Sequence, residues 1–180
     1  TLSITANDTI MLFFNEIPNV ANITFVIDGT SGGTIQLEDG IIINETFTAE
    51  WESGTLINLE ALAAEGYTFG YWETSNNTSL DPDANSNNIS FTVGANDSIS
   101  VFFEPISYEI TVTLPDASQG TISINGETVT TNTYTFTVNY GETLNLNAIA
   151  AEGYEFSGWD ASNIISGSSS DANISIEILS

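Results

Sequence analysis

Polar and apolar residues alternate along most of this chain with a period of two, the repeat of a pleated strand with one buried face. Ile23, Phe25 and Ile27 form one such run, followed by Phe47, Ala49 and Trp51 and then by Ile57, Leu59, Ala61 and Ala63. Further on, Ile110, Val112 and Leu114 alternate with Thr111 and Thr113, and Tyr134, Phe136, Val138 and Tyr140 alternate with Thr and Asn. Leu144, Leu146, Ala148 and Ala150 continue the pattern. Thr, Ile, Val and aromatic residues dominate these runs, as half-buried pleated surfaces favour. Turn signals separate them: Asp28-Gly29, Asp39-Gly40, Glu65-Gly66, Asn125-Gly126 and Glu152-Gly153. The pieces ALAAE and AIAAE could each form one helical turn, but the alternation leading into them favours a strand followed by a turn. The pattern predicts an all-β chain.

The runs come in two sets. Residues 22–73 align without a gap on residues 109–160. The strongest matched piece is Leu59, Ala61, Ala63, Ala64, Glu65, Gly66, Tyr67, Phe69 and Trp72 against Leu146, Ala148, Ala150, Ala151, Glu152, Gly153, Tyr154, Phe156 and Trp159. An ungapped match of this length indicates duplication. It divides the chain into two tandem small antiparallel β domains, residues 18–106 and 107–180, preceded by a segment at residues 1–17.

The matched piece has the form G-x-x-L-x-L-x-A-x-A-x-E-G-Y-x-F-x-G-W, which resembles the divergent InlB-type B-repeat of bacterial and archaeal surface proteins. It runs over residues 54–72 and 141–159; the second copy keeps Gly158 before its Trp, and the first has Tyr71 there. The resemblance implies small β-rich modules strung along extracellular or cell-surface proteins, with motif residues that are structural and none that is catalytic. The residues themselves say the same, since Gly suits the turn while Tyr, Phe and Trp alternate into a core.

The N-terminal segment repeats a piece of the first domain. Residues 6–14 read ANDTIMLFF and residues 95–103 read ANDSISVFF. The second domain ends with Ile174, Ile176 and Ile178, which match Ile89, Phe91 and Val93, and no further copy of the A-N-D-[ST]-I-x-[LV]-F-F piece follows them. Three apolar side chains at about 1.5–3 kcal/mol each make such a strand worth roughly 5–9 kcal/mol before ordering costs. Domains this small are stable by only about 5–10 kcal/mol. Three sources could supply the strand: another copy of the chain, the chain's own N-terminus, or a following repeat of a longer chain. The first is the expectation taken here, with Ile10, Leu12, Phe13 and Phe14 as donor strand or hairpin and Ile174, Ile176 and Ile178 as acceptor strand. Head-to-tail contacts that do not close generate filaments or tubes. The expected function is therefore a subunit of an extracellular filament, sheath or surface lattice, a homo-polymer of this chain. The alternative is an adhesin or glycan-binding module of a larger surface protein.

Composition narrows the chemistry. Of 180 residues, 24 are acidic and none is Lys, Arg or His, a formal charge of −24. No side chain can neutralise phosphate, so nucleic acid is not an expected partner. No basic patch exists for an anionic membrane surface, and no apolar run approaches the roughly 18 residues of a membrane-spanning helix, so no membrane insertion is expected. Nucleophilic triads and neutral-pH proton shuttles lack their residues, and no enzyme is expected. There is no Cys for disulfides or thiolate metal sites. A hydrophobic fraction of 41% nonetheless supports packed cores.

Two kinds of accessory site stand out. Asp81, Asp83, Asn85 and Asn87 alternate in the way of a calcium loop, which takes hard oxygen ligands, although the Gly and distal Glu of an EF-hand are missing. Calcium is thus the one candidate cofactor, and an ordinary polar turn-rich loop is the competing reading. N-x-[ST] sequons at Asn7, Asn22, Asn44, Asn76, Asn77, Asn88, Asn96 and Asn173 are candidate glycan acceptors in a secreted protein. Trp51, Trp72 and Trp159 could form a sugar platform, but their positions in the repeat assign them to the core.

Overall fold

A computed structural model describes residues 11–14, 19–29, 32–114, 116–160 and 167–179. The first repeat comprises β1 (Val20–Asp28), β2 (Gly33–Leu37), β3 (Ile42–Ile43), β4 (Phe47–Glu52), β5 (Leu56–Ala63), β6 (Tyr67–Thr74), β7 (Asn88–Thr92) and β8 (Asp97–Pro105). The second comprises β9 (Ser107–Thr113), β10 (Gly120–Ile124), β11 (Glu127–Val129), β12 (Thr133–Asn139), β13 (Thr143–Ala150) and β14 (Asn173–Glu177). No helix is present among the described residues.

The first repeat is two four-stranded sheets, ordered β4-β1-β8-β6 and β3-β2-β5-β7. Their inner faces meet in one core. Ile23, Phe25, Ile35, Ile57, Leu59, Trp72, Ile89, Phe91, Ile99 and Val101 are all buried in it. The alternation read from the sequence fixes these faces: in β1, Ala21, Ile23 and Phe25 point inward while Asn22 faces solvent. The turns fall at the Gly positions, with Gly29, Gly40 and Gly66 at positive φ. Asn125 and Gly126 are both in the left-handed region, which suits a tight hairpin between β10 and β11.

One pairing was not legible in the alternation. β1 and β8 run parallel, Phe25 beside Ile99 and Ile27 beside Val101. The remaining pairs are antiparallel. A parallel neighbour needs a crossover of a dozen or more residues, and here nearly the whole repeat intervenes.

The second repeat has its own core, built on Ile122, Ile124, Val138, Leu144, Leu146, Ile174 and Ile178. Its sheet β11-β10-β13-β14 reproduces β3-β2-β5-β7 strand for strand. Among the described residues its other sheet holds β12 and β9, the counterparts of β4 and β1. The two repeats meet at a bonded junction. Ile106 donates its N–H to the Gly66 carbonyl, and Tyr140 donates its N–H to the Ile106 carbonyl, both at 2.8 Å. The Tyr140 ring lies so close to Gly66 that a Cβ there would come within 2.6 Å of it.

Candidate functional site

The first repeat shows what a completed module needs. β8 lies between β1 and β6, and its Ile99 and Val101 have no solvent exposure. Its first residue, Asp97, is buried, with its carboxylate facing the loop after β6. Ser75 Oγ (2.7 Å), the Asn76 N–H (2.8 Å), the Ser98 N–H (2.7 Å) and the Thr78 hydroxyl all donate to it. Burial alone pushes this carboxyl up, but the four donors outweigh it and hold the pKa below the ordinary 3.8. Phe103 covers Gly32 and Gly33; a Cβ at Gly33 would come within 2.5 Å of its ring. The glycine pair is what lets the ring approach.

In the second repeat this arrangement is interrupted at one edge. β9 pairs with β12 through the register Thr133 to Thr113, Phe136 to Ile110 and Val138 to Tyr108. No described strand pairs with its other edge, the one that β8 flanks in the first repeat. The inward residues Tyr108, Ile110 and Val112 are only half-buried, whereas their counterparts Ala21, Ile23 and Phe25 are 3%, 1% and 0% exposed. Leu114, Phe136 and Trp159 are likewise only partly covered.

A second strand goes with the first. Residues 154–159 carry the same Y-x-F-x-x-W spacing as β6, yet they lie in no strand. Among the described strands β6 pairs along its length with β8 alone, and no described strand offers residues 154–159 a partner of that kind. The Phe–Trp ring pair persists in both copies: Phe69 and Trp72 are 6.1 Å apart, Phe156 and Trp159 5.5 Å. Both indoles are clamped alike. Trp72 donates its N–H to the Ala84 carbonyl and its Nε1–H to that of Ser86; Trp159 donates to Ser169 and Asp171 in the same way. Trp72 is buried, while Trp159 is half-buried and Tyr154 exposed.

Residues 23–107 and 110–178 each match the divergent InlB B-repeat domain. The chain belongs to that family. No curated protein sequence matches it. Among solved structures, the Bacillus anthracis TIE protein is similar, with 13% identity and a TM-score of 0.46 over 89% of this chain and 31% of that one. The chain thus spans about a third of that protein's length. As B-repeats, the two domains are modules of the cell-surface type, and no described helix is long and apolar enough to cross a membrane.

The sequence-predicted residues distribute as follows on this pair of B-repeats. Of the donor positions, Leu12, Phe13 and Phe14 are described and Ile10 lies outside the described residues. Met11, Leu12, Phe13 and Phe14 are in no strand and are 72–85% exposed. Ile174 and Ile176 lie on β14 and Ile178 just beyond it; Ile174 and Ile178 are buried. β14 pairs with β13, opposite Leu146 and Leu144, and belongs to the complete four-stranded sheet. Its counterpart β7 is not a neighbour of β8. Among the described residues the two-stranded sheet is the other one, and Tyr108, Ile110 and Val112 lie along its β9 strand.

At the calcium-loop positions, Asp83 accepts the Asn85 N–H in a local turn (2.7 Å) and Asp81 bridges Ser90 through backbone bonds. Asn87 uses its carbonyl to accept the Ala61 N–H. No group of three or more acidic side chains capable of holding a metal occurs among the described residues. Between these positions, the Ala84 and Ser86 carbonyls accept the Trp72 N–H and Nε1–H. Of the sequons, Asn22, Asn44, Asn76, Asn77, Asn88, Asn96 and Asn173 are exposed, and Asn7 lies outside the described residues. Trp51 packs against the first core.

Proposed function

We propose that this chain is a structural subunit of an extracellular filament, sheath or cell-surface lattice, assembled head-to-tail by strand donation between copies. The supporting observation is the match between an edge and a segment. β9 has an unpaired outer edge among the described residues, with half-buried apolar side chains along it. The exposed stretch Met11, Leu12, Phe13 and Phe14 belongs to a segment whose sequence repeats that of β8, the strand that covers the same edge in the first repeat. An edge of this kind takes an added strand through main-chain hydrogen bonds and alternate side-chain contacts. The partner is another copy of the chain, and the process involves no catalysis.

Electron microscopy of the native secreted protein, with and without residues 1–17, tests this. Regular filaments or tubes that vanish on deletion are expected. Polymers that persist unchanged without the segment overturn strand donation.

A second reading, glycan binding by an adhesin module, has one observation in its favour. Tyr71 and Phe102 stack at 4.5 Å with an 11° interplanar angle on the outer face of the first repeat, where Tyr71 is exposed. Dispersed particles in microscopy together with sugar-dependent quenching of a tyrosine signal support that reading over assembly.

A further inference from the structure

We infer that the strand received by the second repeat lies parallel to β9, along its outer edge, with Ile10 beside Val112, Leu12 beside Leu114 and Phe14 over Gly120. This rests on the assembly reading and specifies its interface: the acceptor is β9, not the strand that carries Ile174 and Ile176. The occupant is the N-terminal segment of a second copy.

Three observations fix the register. First, β8 runs parallel to β1 with Phe25 beside Ile99 and Ile27 beside Val101. The alignment places Val112 and Leu114 where Phe25 and Ile27 stand, and Ile10 and Leu12 where Ile99 and Val101 stand. Second, the side chains that would be covered are the ones left half-buried, Tyr108, Ile110, Val112 and Leu114, while the inward residues of the other sheet are already buried. Third, Gly120 occupies the place of Gly33, over which Phe103 packs. The three atoms nearest to a Cβ at Gly120 are all backbone of Ile149 and Ala150. In the first repeat the nearest atoms at Gly33 include the Phe103 ring itself.

The same register sets the other edge of the incoming strand. β8 pairs antiparallel with β6, Trp72 opposite Val101 and Phe69 opposite Phe103. Transferred, Trp159 comes opposite Leu12 and Phe156 opposite Phe14. The donated strand then completes two ladders at once, and residues 154–159 gain the partner that turns their counterpart into β6.

Disulfide trapping tests the register, because the chain has no cysteine of its own. Thr24 pairs with Ser98, so Thr111 is expected beside Thr9 of the neighbouring copy. Thr111 faces outward, its hydroxyl bonded to Thr135 at 3.1 Å, so a cysteine there disturbs no core contact. Adjacent strands are about 4.8 Å apart, within the span of a disulfide. The double variant Thr9→Cys, Thr111→Cys is expected to give a reducible ladder of covalent oligomers with wild-type circular dichroism. Thr9→Cys with Ser175→Cys, which would report an acceptor at β14, is expected to give none. A ladder from the second double variant alone overturns the β9 register while leaving strand donation intact. No ladder from either double variant in formed polymers overturns the inference. Polymers that also survive deletion of residues 1–17 overturn the assembly reading beneath it.

Discussion

The phenolic hydroxyl of Tyr140 donates to a carboxylate oxygen of Glu65 at 2.5 Å, across the junction between the two repeats. Glu65 opens the turn between β5 and β6, and Tyr140 directly follows β12. Their bond, with those of Ile106 to Gly66 and Tyr140 to Ile106, ties the end of one module to the flank of the next. The bond to Glu65, helped by desolvation and by the negative charge itself, holds the Tyr140 phenol above its ordinary 10.0.

Tyr140→Phe is therefore expected to loosen the junction without unfolding either core. The amide protons of Ile106 and Tyr140 should exchange faster with solvent, as read by NMR. The sign of the pH effect follows from the raised pKa. The bond's contribution is complete below pH 10.0 and is lost as pH rises through the higher folded value. In wild type the exchange of these two amides, corrected for its intrinsic pH dependence, should accelerate above that point. Tyr140→Phe should show no such step.

Gly66 and Gly153 offer a matched comparison. Both have positive φ, +82° and +86°. A Cβ at Gly153 meets nothing within 4 Å, whereas one at Gly66 meets the Tyr140 ring at 2.6 Å. Gly153→Ala should cost about 1–2 kcal/mol, the penalty of left-handed backbone for a residue with a Cβ. Gly66→Ala should cost the same plus the displacement of Tyr140. Paired denaturant titrations, with junction amide exchange, separate the two contributions.

Asp97 is the polar fastening of β8. Replacing it by Ala leaves the Ser75, Asn76, Thr78 and Ser98 donors without their acceptor and is expected to destabilise the first repeat by about 2–3 kcal/mol. Because its pKa is depressed, the carboxylate's contribution is present above pH 3.8 and fades as pH falls through the lower folded value. Wild type should lose part of its stability in that acid range. Asp97→Asn should lose less there, as followed by near-ultraviolet circular dichroism.

Trp72 and Trp159 should behave differently despite identical clamps. Trp72→Ala should cost about 3–5 kcal/mol in the first repeat, as for other large-to-small core changes. Trp159→Ala should cost clearly less in dispersed protein, since its ring is half in solvent. With Trp51 and Trp72 replaced by Phe, the remaining Trp159 emission should shift to the blue as polymers form. An unchanged spectrum in formed polymers would show that the ring stays wet.

The strands themselves were legible because period-two alternation is a local property. Ile23, Phe25 and Ile27 declare their common face without reference to any partner. The duplication and the turns were legible for the same reason. What alternation does not encode is which strand lies beside which. Nothing local in Asp97–Pro105 says that it runs parallel to β1 rather than antiparallel to β7. Adjacency in sequence points to Ile174, Ile176 and Ile178 as the acceptor, whereas the strand order puts β14 beside β13 and leaves β9 at the edge that corresponds to the one β8 flanks in the first repeat. Residues 154–159 make the complementary case. Their sequence matches β6, but a strand needs a neighbour for its hydrogen bonds, and local pattern cannot supply one.

The parallel pairing of β1 with β8 also has a kinetic consequence. Asn22 and Asn96, bonded where that pair begins, are 74 residues apart in sequence. Closing the first repeat across that contact is an intramolecular search over almost the whole module, the kind of distant contact that slows folding. In the proposed assembly the second repeat makes the same closure with a strand from another molecule. That step then becomes second-order, and the half-life of the unclosed module varies with how many neighbours are at hand. Dilute protein would keep its second module ajar, and the surface on which copies accumulate would decide when it shuts.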